Sequence, residues 1–367
     1  MALKAHRPAR LTAAVIGLGS IGGVVAGCLR DADRHDVVAC ARIPVKRLVL
    51  ERPERTVEVP LRTLSNPADA TRVDWVLLCT KAHQTPSAAP WLARLCDSST
   101  RVAVLQNGIG QAARTAPFAN GSTIMPAIVY YNGERLAPDH VRLRHVAEYD
   151  LAVADDVHGR AFAEFLDGTP LRVLLSADFA TLSWRKLLIN AVANPITALT
   201  LQRQAVLRRE DIRALCMAIL DEAVAVARAD GAKLATDESE RTLSTLLTYP
   251  PEAGTSMYFD RLAGRALEIE ALTGAIVAAG ERFSIATPLN RALLTLLRAI
   301  NDAAGGGTGR VLPAACVYTN VRRTSARRYH KDRKNPRGGK TLMRATMGKR
   351  HVRGVRAKTR RLRRGDD

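Results

Sequence analysis

Three polar residues stand at helical spacing in an otherwise apolar run: Lys186, Asn190 and Asn194, within Trp184-Arg185-Lys186-Leu187-Leu188-Ile189-Asn190-Ala191-Val192-Ala193-Asn194-Pro195. At i, i+4 and i+8 they share one face of a helix. Burying such a row is unfavourable unless each polar group finds a partner. A bound polar substrate is one such partner; water or a neighbouring domain is another.

The elements around this row supply a second site. Leu11 to Ile16 is an apolar run of strand length, Gly17-Leu18-Gly19-Ser20-Ile21-Gly22 follows it, and Val24 to Leu29 suits a helix. This is G-x-G-x-x-G between a strand and a helix, the context in which it cradles a pyrophosphate. Gly17 permits the tight turn, Gly19 admits the phosphates, and Gly22 lets helix and strand pack closely. The second strand, Asp36 to Arg42, lacks the terminal acidic residue that would hold the ribose 2'-hydroxyl of NAD. It ends in Arg42, with Lys46 and Arg47 behind it, which favours the 2'-phosphate of NADP.

Further strands are expected at Trp75 to Cys79 and Arg101 to Leu105. They deliver Thr80-Lys81-Ala82-His83-Gln84 and Gln106-Asn107-Gly108 to the edge where open α/β sheets bind ligands. Lys81 and Asn107 are therefore candidate contacts, whereas His83 has no metal-type partner and reads as surface or packing. Strand patterns continue at Ile124 to Tyr131, Val141 to His145, Leu151 to Ala154 and Leu171 to Leu175, with a helix near His158 to Leu166. After Ala177 the periods are helical: Trp184 to Leu199, Asp211 to Ala229, Asp237 to Leu247 and Arg261 to Glu281, with a last helix starting at Thr287-Pro288. The expected division is residues 1–177 for dinucleotide binding, 178–302 for a helical domain, and 303–367 as a tail.

Composition supports that division. A chain of 367 residues suits two domains and a tail, and 47% hydrophobic content suffices for sizeable cores. The net charge of +20 is not spread evenly. From Arg310 onward 20 Lys or Arg face 3 Asp, a net of +17, which leaves +3 for residues 1–309. The basicity belongs to a tail with few large apolar residues, expected to be disordered behind the hinge Ala303 to Gly309. Nucleic-acid binding by this tail is an open but less favoured reading, for it lacks regular aromatic interleaving. Six cysteines without a C-x-x-C pair fit reduced core thiols in a cytoplasmic protein, and no metal site is expected. No apolar run is long enough to span a bilayer. Val24 to Cys28 resembles a lipid-attachment site behind basic residues, but its glycine punctuation fits the strand-turn-helix unit better.

Taken in order, these motifs resemble the ketopantoate reductases (2-dehydropantoate 2-reductases). The likeness runs from about residue 12 to 300: the glycine turn and Arg42, Thr80-Lys81-Ala82, Gln106-Asn107-Gly108, Trp184 through Pro195, Thr255-Ser256-Met257, and Gly264-Arg265-Ala266-Leu267-Glu268-Ile269-Glu270. It implies an α/β Rossmann-type domain that binds NADPH. An all-α domain, 6-phosphogluconate dehydrogenase C-terminal-like, would close over a 2-keto acid. It also implies a step of pantothenate biosynthesis and pairing of two copies through the helical domain. In the family pattern Lys186 is the proton donor and Glu268 the carboxylate at the reacting end, where it also meets the cofactor. Asn107, Asn190, Asn194 and Ser256 match substrate-holding positions; Lys81 and Asn107 match positions near the nicotinamide. Hydride addition to the ketone carbon leaves charge on oxygen that a nearby ammonium stabilises and protonates. Two segments depart from the pattern, Met125 to Glu134 and Leu201-Gln202-Arg203-Gln204, and with them part of the substrate pocket. A non-catalytic NADP sensor with a nucleic-acid-binding tail is the rival reading, as is a reductase of another keto acid. The intact Lys186, Ser256 and Glu268 set argues for the enzyme.

Overall fold

The structure is a computed structural model that describes residues 10–305. The expected tail, residues 303–367, lies outside the described residues from 306 on, as does the extreme N-terminus; the first three residues of that tail instead close the last helix, which ends at Gly305.

Six parallel strands form the main sheet, in the order β5-β2-β1-β6-β7-β8: β1 Thr12–Ile16, β2 Asp36–Cys40, β5 Arg62–Leu64, β6 Trp75–Leu78, β7 Arg101–Val104 and β8 Thr123–Pro126. Alternate residues of β1 face opposite ways, and both sets are buried. Ala13 and Val15 join a core with helix α1 (Ser20–Ala32), while Ala14 and Ile16 join one with α2 (Ala89–Leu95). A sheet covered on both faces explains why these strands read as continuous apolar runs. The order of connection reverses between β1 and β6, which opens a crevice at their C-terminal ends.

A hairpin not expected above, β3 (Arg47–Glu51) and β4 (Thr56–Pro60), follows β2. These strands join β10 (Asn132–Ala137) and β11 (His140–Arg144) in a second sheet, order β10-β11-β3-β4, that covers the far side of α1. Helix α1 is thus held between two sheets. Its glycines make room: a Cβ on Gly23 would stand 2.6 Å from Val141 Cγ1, and one on Gly27 would meet Leu50 Cβ at 3.2 Å. Cys28, fully buried in the same helix, is a core residue.

The expected single strand over Ile124 to Tyr131 is divided. β8 ends at Pro126, and β9 (Ile128–Val129) crosses to a third sheet with β12 (Leu151–Ala154) and β13 (Val173–Ser176). Helices α3 (Gln111–Thr115) and α4 (Val157–Phe165) complete this half; Phe162 and Phe165 of α4 pack on Trp75.

The rest is helical. α5 (Phe179–Thr200) opens with the Asp178 carboxylate accepting from the Thr181 N–H and runs through Pro195. It is packed by α6 (Glu210–Ala229), α7 (Glu238–Thr248), α8 (Ser256–Leu262) and α10 (Pro288–Gly305), with α9 (Thr273–Phe283) against α6 and α10. The helix expected over Arg261 to Glu281 is not continuous. α8 stops at Leu262, Gly264 takes a left-handed φ of +61°, and residues 263–272 run irregularly into α9. That break carries Glu268.

Candidate active site

The glycine turn lies at the reversal point of the sheet. Gly17 has φ +96°, which L side chains rarely adopt, and its N–H donates to Cys40 O at 3.0 Å. A Cβ on Gly22 would stand 1.9 Å from Gly17 O, so only glycine closes the turn there. Gly19 faces open space, with nothing within 4 Å of an added Cβ. It precedes α1, whose first turn holds no acidic residue and whose N-terminus has no side-chain cap. Free N–H groups at an uncapped helix start attract phosphate, so this cradle fits a dinucleotide. Leu18 is buried behind the turn, Ser20 and Ile21 are half-buried, and Arg42 is exposed beyond β2.

The second cluster ties the two halves together. Glu268 is 6% exposed, and both carboxylate oxygens are engaged by the sheet half. Oε1 accepts from the Ala82 N–H at 2.9 Å; Oε2 accepts from Lys81 Nζ at 3.1 Å and from Asn107 Nδ2 at 3.4 Å. Lys81 also pairs with Asp260 Oδ2 at 2.9 Å, and Asp260 in turn with Arg265. Burial pulls the Lys81 ammonium down, but Glu268 and Asp260 outweigh it and hold it above its ordinary pKa. Gly108 sits against this seam with φ +88°; a Cβ there would stand 1.9 Å from Ala271 O.

Lys186 is differently placed. It shares the lining of a small cavity with Gln106, Asn107, Gln111 and Ser183. Among the described residues Nζ makes no hydrogen bond or ion pair; its contact is the Tyr130 ring, 5.1 Å from the centroid. Burial, uncompensated by any carboxylate, pushes its pKa below the ordinary lysine value. The neighbours on α5 are anchored elsewhere: Trp184 Nε1 donates to Asp230 at 3.0 Å and Arg185 Nε to Glu238 at 2.9 Å.

Glu268 therefore contacts both Lys81 and Asn107, and Asn107 in turn shares the lining of the cavity with Lys186. The remaining expected residues lie further along α5 and at α8. Asn190 is half-buried, and Asn194 is 3% exposed with Nδ2 lacking a partner. Ser256 is exposed at the first position of α8, beside Thr255, whose hydroxyl bonds that of Thr197 at 2.7 Å. His83 is exposed, as a surface residue would be.

Sequence reasoning missed Asp260 and Tyr130. Asp260 lies three residues beyond the quoted Thr255-Ser256-Met257, so a search for a second carboxylate near Glu268 would have found it. The departing segment at 201–204 docks on residues 250–259. Gln204 N–H donates to Ala253 O, and Arg203 lies over the Tyr258 and Phe259 rings. Among the described residues no cluster of three His, Cys, Asp or Glu is placed to hold a metal ion, and no helix is long and apolar enough to cross a membrane.

A six-stranded parallel sheet with a glycine cradle at its reversal point, joined to a helical half that presents a lysine to the seam, defines a Rossmann-type oxidoreductase. Residues 13–155 match the model of the family described as ketopantoate reductase PanE/ApbA, and residues 178–301 match the C-terminal model of the same family. A 2-dehydropantoate 2-reductase of Mycobacterium tuberculosis is 37% identical over 294 residues, which cover 80% of this chain and 98% of that one. Two solved structures are similar throughout. A PanE/ApbA family ketopantoate reductase from Ralstonia eutropha has a TM-score of 0.73 at 30% identity, covering 80% of this chain and 99% of its own. A dimeric ketopantoate reductase from Staphylococcus aureus has a TM-score of 0.72 at 28% identity, covering 80% and 100%. The chain belongs to the ketopantoate reductase family, an NADPH-dependent oxidoreductase family.

Proposed function

We propose that the protein reduces 2-dehydropantoate to pantoate with NADPH, with Lys186 as proton donor and Glu268 as the group that sets the geometry of the seam. The observation that carries the assignment of roles is the contrast between two half-buried lysines. Lys81 is neutralised by two carboxylates, whereas Lys186 has none and faces a cavity. A charge left unpaired by the protein is available to a ligand.

The glycine turn would hold the pyrophosphate and Arg42 the 2'-phosphate, and the bound dinucleotide supplies a hydride to the ketone carbon. The protein's own part follows from its geometry. The Lys186 ammonium stabilises the oxygen as charge develops on it and transfers a proton to it, leaving a 2-hydroxy acid and a neutral amine that water reprotonates. Its lowered pKa brings the proton closer to transfer at neutral pH. Asn107, held by Glu268, offers its remaining polar atoms to the cavity. Asn190, Asn194 and Ser256 would bind the substrate's carboxylate and hydroxyl; the unpartnered Nδ2 of Asn194 is a donor in want of such an acceptor. We extend the pairing of two copies from the dimeric Staphylococcus aureus relative to this chain.

A panel of small 2-keto acids with NADPH, followed by loss of nicotinamide absorbance, tests the reading. 2-Dehydropantoate should give the highest kcat/KM, and turnover of a different keto acid in preference to it would reassign the substrate.

A further inference from the structure

We propose that Tyr130 is a positioning residue for Lys186: its ring is the platform on which the ammonium rests, and its face favours the charged form of that nitrogen inside the cavity. This rests on the reading of Lys186 as proton donor.

The charged groups around Lys186 leave the ring as the discriminating neighbour. Arg185, beside it on α5, is turned to Glu238, at 2.9 and 3.3 Å. Lys81 is paired with both Asp260 and Glu268. His145 and Arg172 are bonded to Asp150, behind the platform. The cavity residues Gln106, Asn107, Gln111 and Ser183 are neutral, as are Tyr149 and Tyr249 near the Tyr130 hydroxyl, whose pKa burial raises further. With Nζ 5.1 Å from its centroid, the Tyr130 ring is within the range where a π-face attracts a cation, most strongly where water is excluded. Desolvation opposes the charge on Lys186, and the ring offsets part of that opposition.

The platform is itself held firmly. The N–H groups of Tyr130 and Tyr131 both donate to Asp150 O, at 2.8 and 3.2 Å. The Asp150 side chain is fully buried between His145 and Arg172. Tyr149 meets Tyr130 edge-on with centroids 5.0 Å apart. The next residue, Tyr131, donates its hydroxyl to Ile21 O at 2.8 Å, at the start of α1. Two consecutive tyrosines thus touch the catalytic lysine and the dinucleotide turn, in the segment where this chain departs from the family pattern.

The test reads the titration of Lys186 without turnover. Reductively 13C-methylated protein gives a lysine resonance for each site, and Lys186→Arg identifies the one in question. In Tyr130→Leu its midpoint should fall by roughly half a unit to one and a half units, the range of a buried cation–π contact. Tyr130→Phe, which keeps the ring, should match the wild type. The alkaline limb of kcat should move down in step in the Leu variant alone. If circular dichroism shows Tyr130→Leu unfolded, Tyr130→Met serves in its place. An unchanged midpoint in the ring-less variant, or an equal fall in Tyr130→Phe, overturns the platform. The expected midpoint shift in a protein that reduces no keto acid would support the platform and overturn the reductase reading instead.

Discussion

Lys81 and Glu268, 187 positions apart, form a 3.1 Å ion pair that joins the strand-end loop after β6 to the break between α8 and α9. Glu268 also accepts from a buried backbone N–H, that of Ala82, and from Asn107, so its removal takes a partner from three groups of the sheet half. Glu268→Ala should lower kcat, raise KM and reduce stability by about 1–3 kcal/mol, the usual consequence of an unsatisfied buried donor. Lys81→Met leaves Asp260 and Glu268, both nearly buried, without their shared cation. It should destabilise by about 2 kcal/mol, less than a fully buried pair because Lys81 is partly exposed. Thermal melts and steady-state kinetics on both variants check these outcomes; a Glu268→Ala protein with wild-type KM would remove it from the substrate site.

Lys186→Met separates chemistry from structure. Loss of the general acid should lower kcat by roughly 10²- to 10⁴-fold with NADPH binding kept. Stability should rise, by about 1 kcal/mol, because an unpaired ammonium is replaced by an apolar chain of similar length. A fall in melting temperature would mean that Lys186 is held by interactions other than those described.

The same lysine predicts a pH dependence. Its pKa is lower folded than unfolded, so between the two values the unfolded chain binds more protons and stability rises with pH. Catalysis runs the opposite way, since kcat falls as pH climbs through the folded pKa and the acid is lost. Denaturant titrations and kcat profiles across the alkaline range should therefore slope in opposite senses, and the stability slope should be smaller in Lys186→Met.

Cofactor choice should rest on Arg42, which is exposed and free for a phosphate. Arg42→Ala should weaken NADPH binding by about 1.5–3 kcal/mol and leave NADH nearly unchanged. An unaltered NADPH to NADH ratio would move the 2'-phosphate elsewhere.

The two glycines of the turn should fail differently. Gly22→Ala drives a Cβ into Gly17 O at 1.9 Å and should lower both stability and NADPH affinity. Gly19→Val meets no protein atom near its Cβ, so the melting temperature should hold while NADPH affinity falls at least about tenfold, because the space belongs to the ligand. Equal NADPH affinity in Gly19→Val and wild type would place the pyrophosphate away from this turn.

How much of this could be read beforehand depended on whether a signal was local. The turn from Gly17 to Gly22 and the Lys186 helix carry their geometry in their own spacing, and both lie where that spacing put them. The β3–β4 hairpin was invisible because Arg47 to Pro60 mixes charge into short alternations whose partner, β11, lies about ninety residues away. Helical periodicity concealed the break at Gly264, since Leu267, Ile269 and Leu272 are buried by the helical core without being helical themselves. Tyr130 and Asp260 were missed for a related reason: each matters through a residue on another element, and a single sequence does not display such pairings.

The crowded bed of α1 reverses a common rule of protein stabilisation. Alanine in place of a helical glycine ordinarily gains about 0.4–1 kcal/mol by restricting the unfolded chain, which makes a helix with Gly22, Gly23 and Gly27 an inviting target. Here the methyls at Gly22 and Gly23 would enter occupied space, Gly17 O and the branched Val141 side chain, and the one at Gly27 would press on Leu50 at 3.2 Å, so that any gain there depends on Leu50 giving way. Programmes to harden this enzyme against heat should leave α1 alone and turn to glycines with room around them. Gly121, Gly231 and Gly264 have that room but hold left-handed φ values, so the gain there lies in asparagine, which tolerates such backbone better than alanine does.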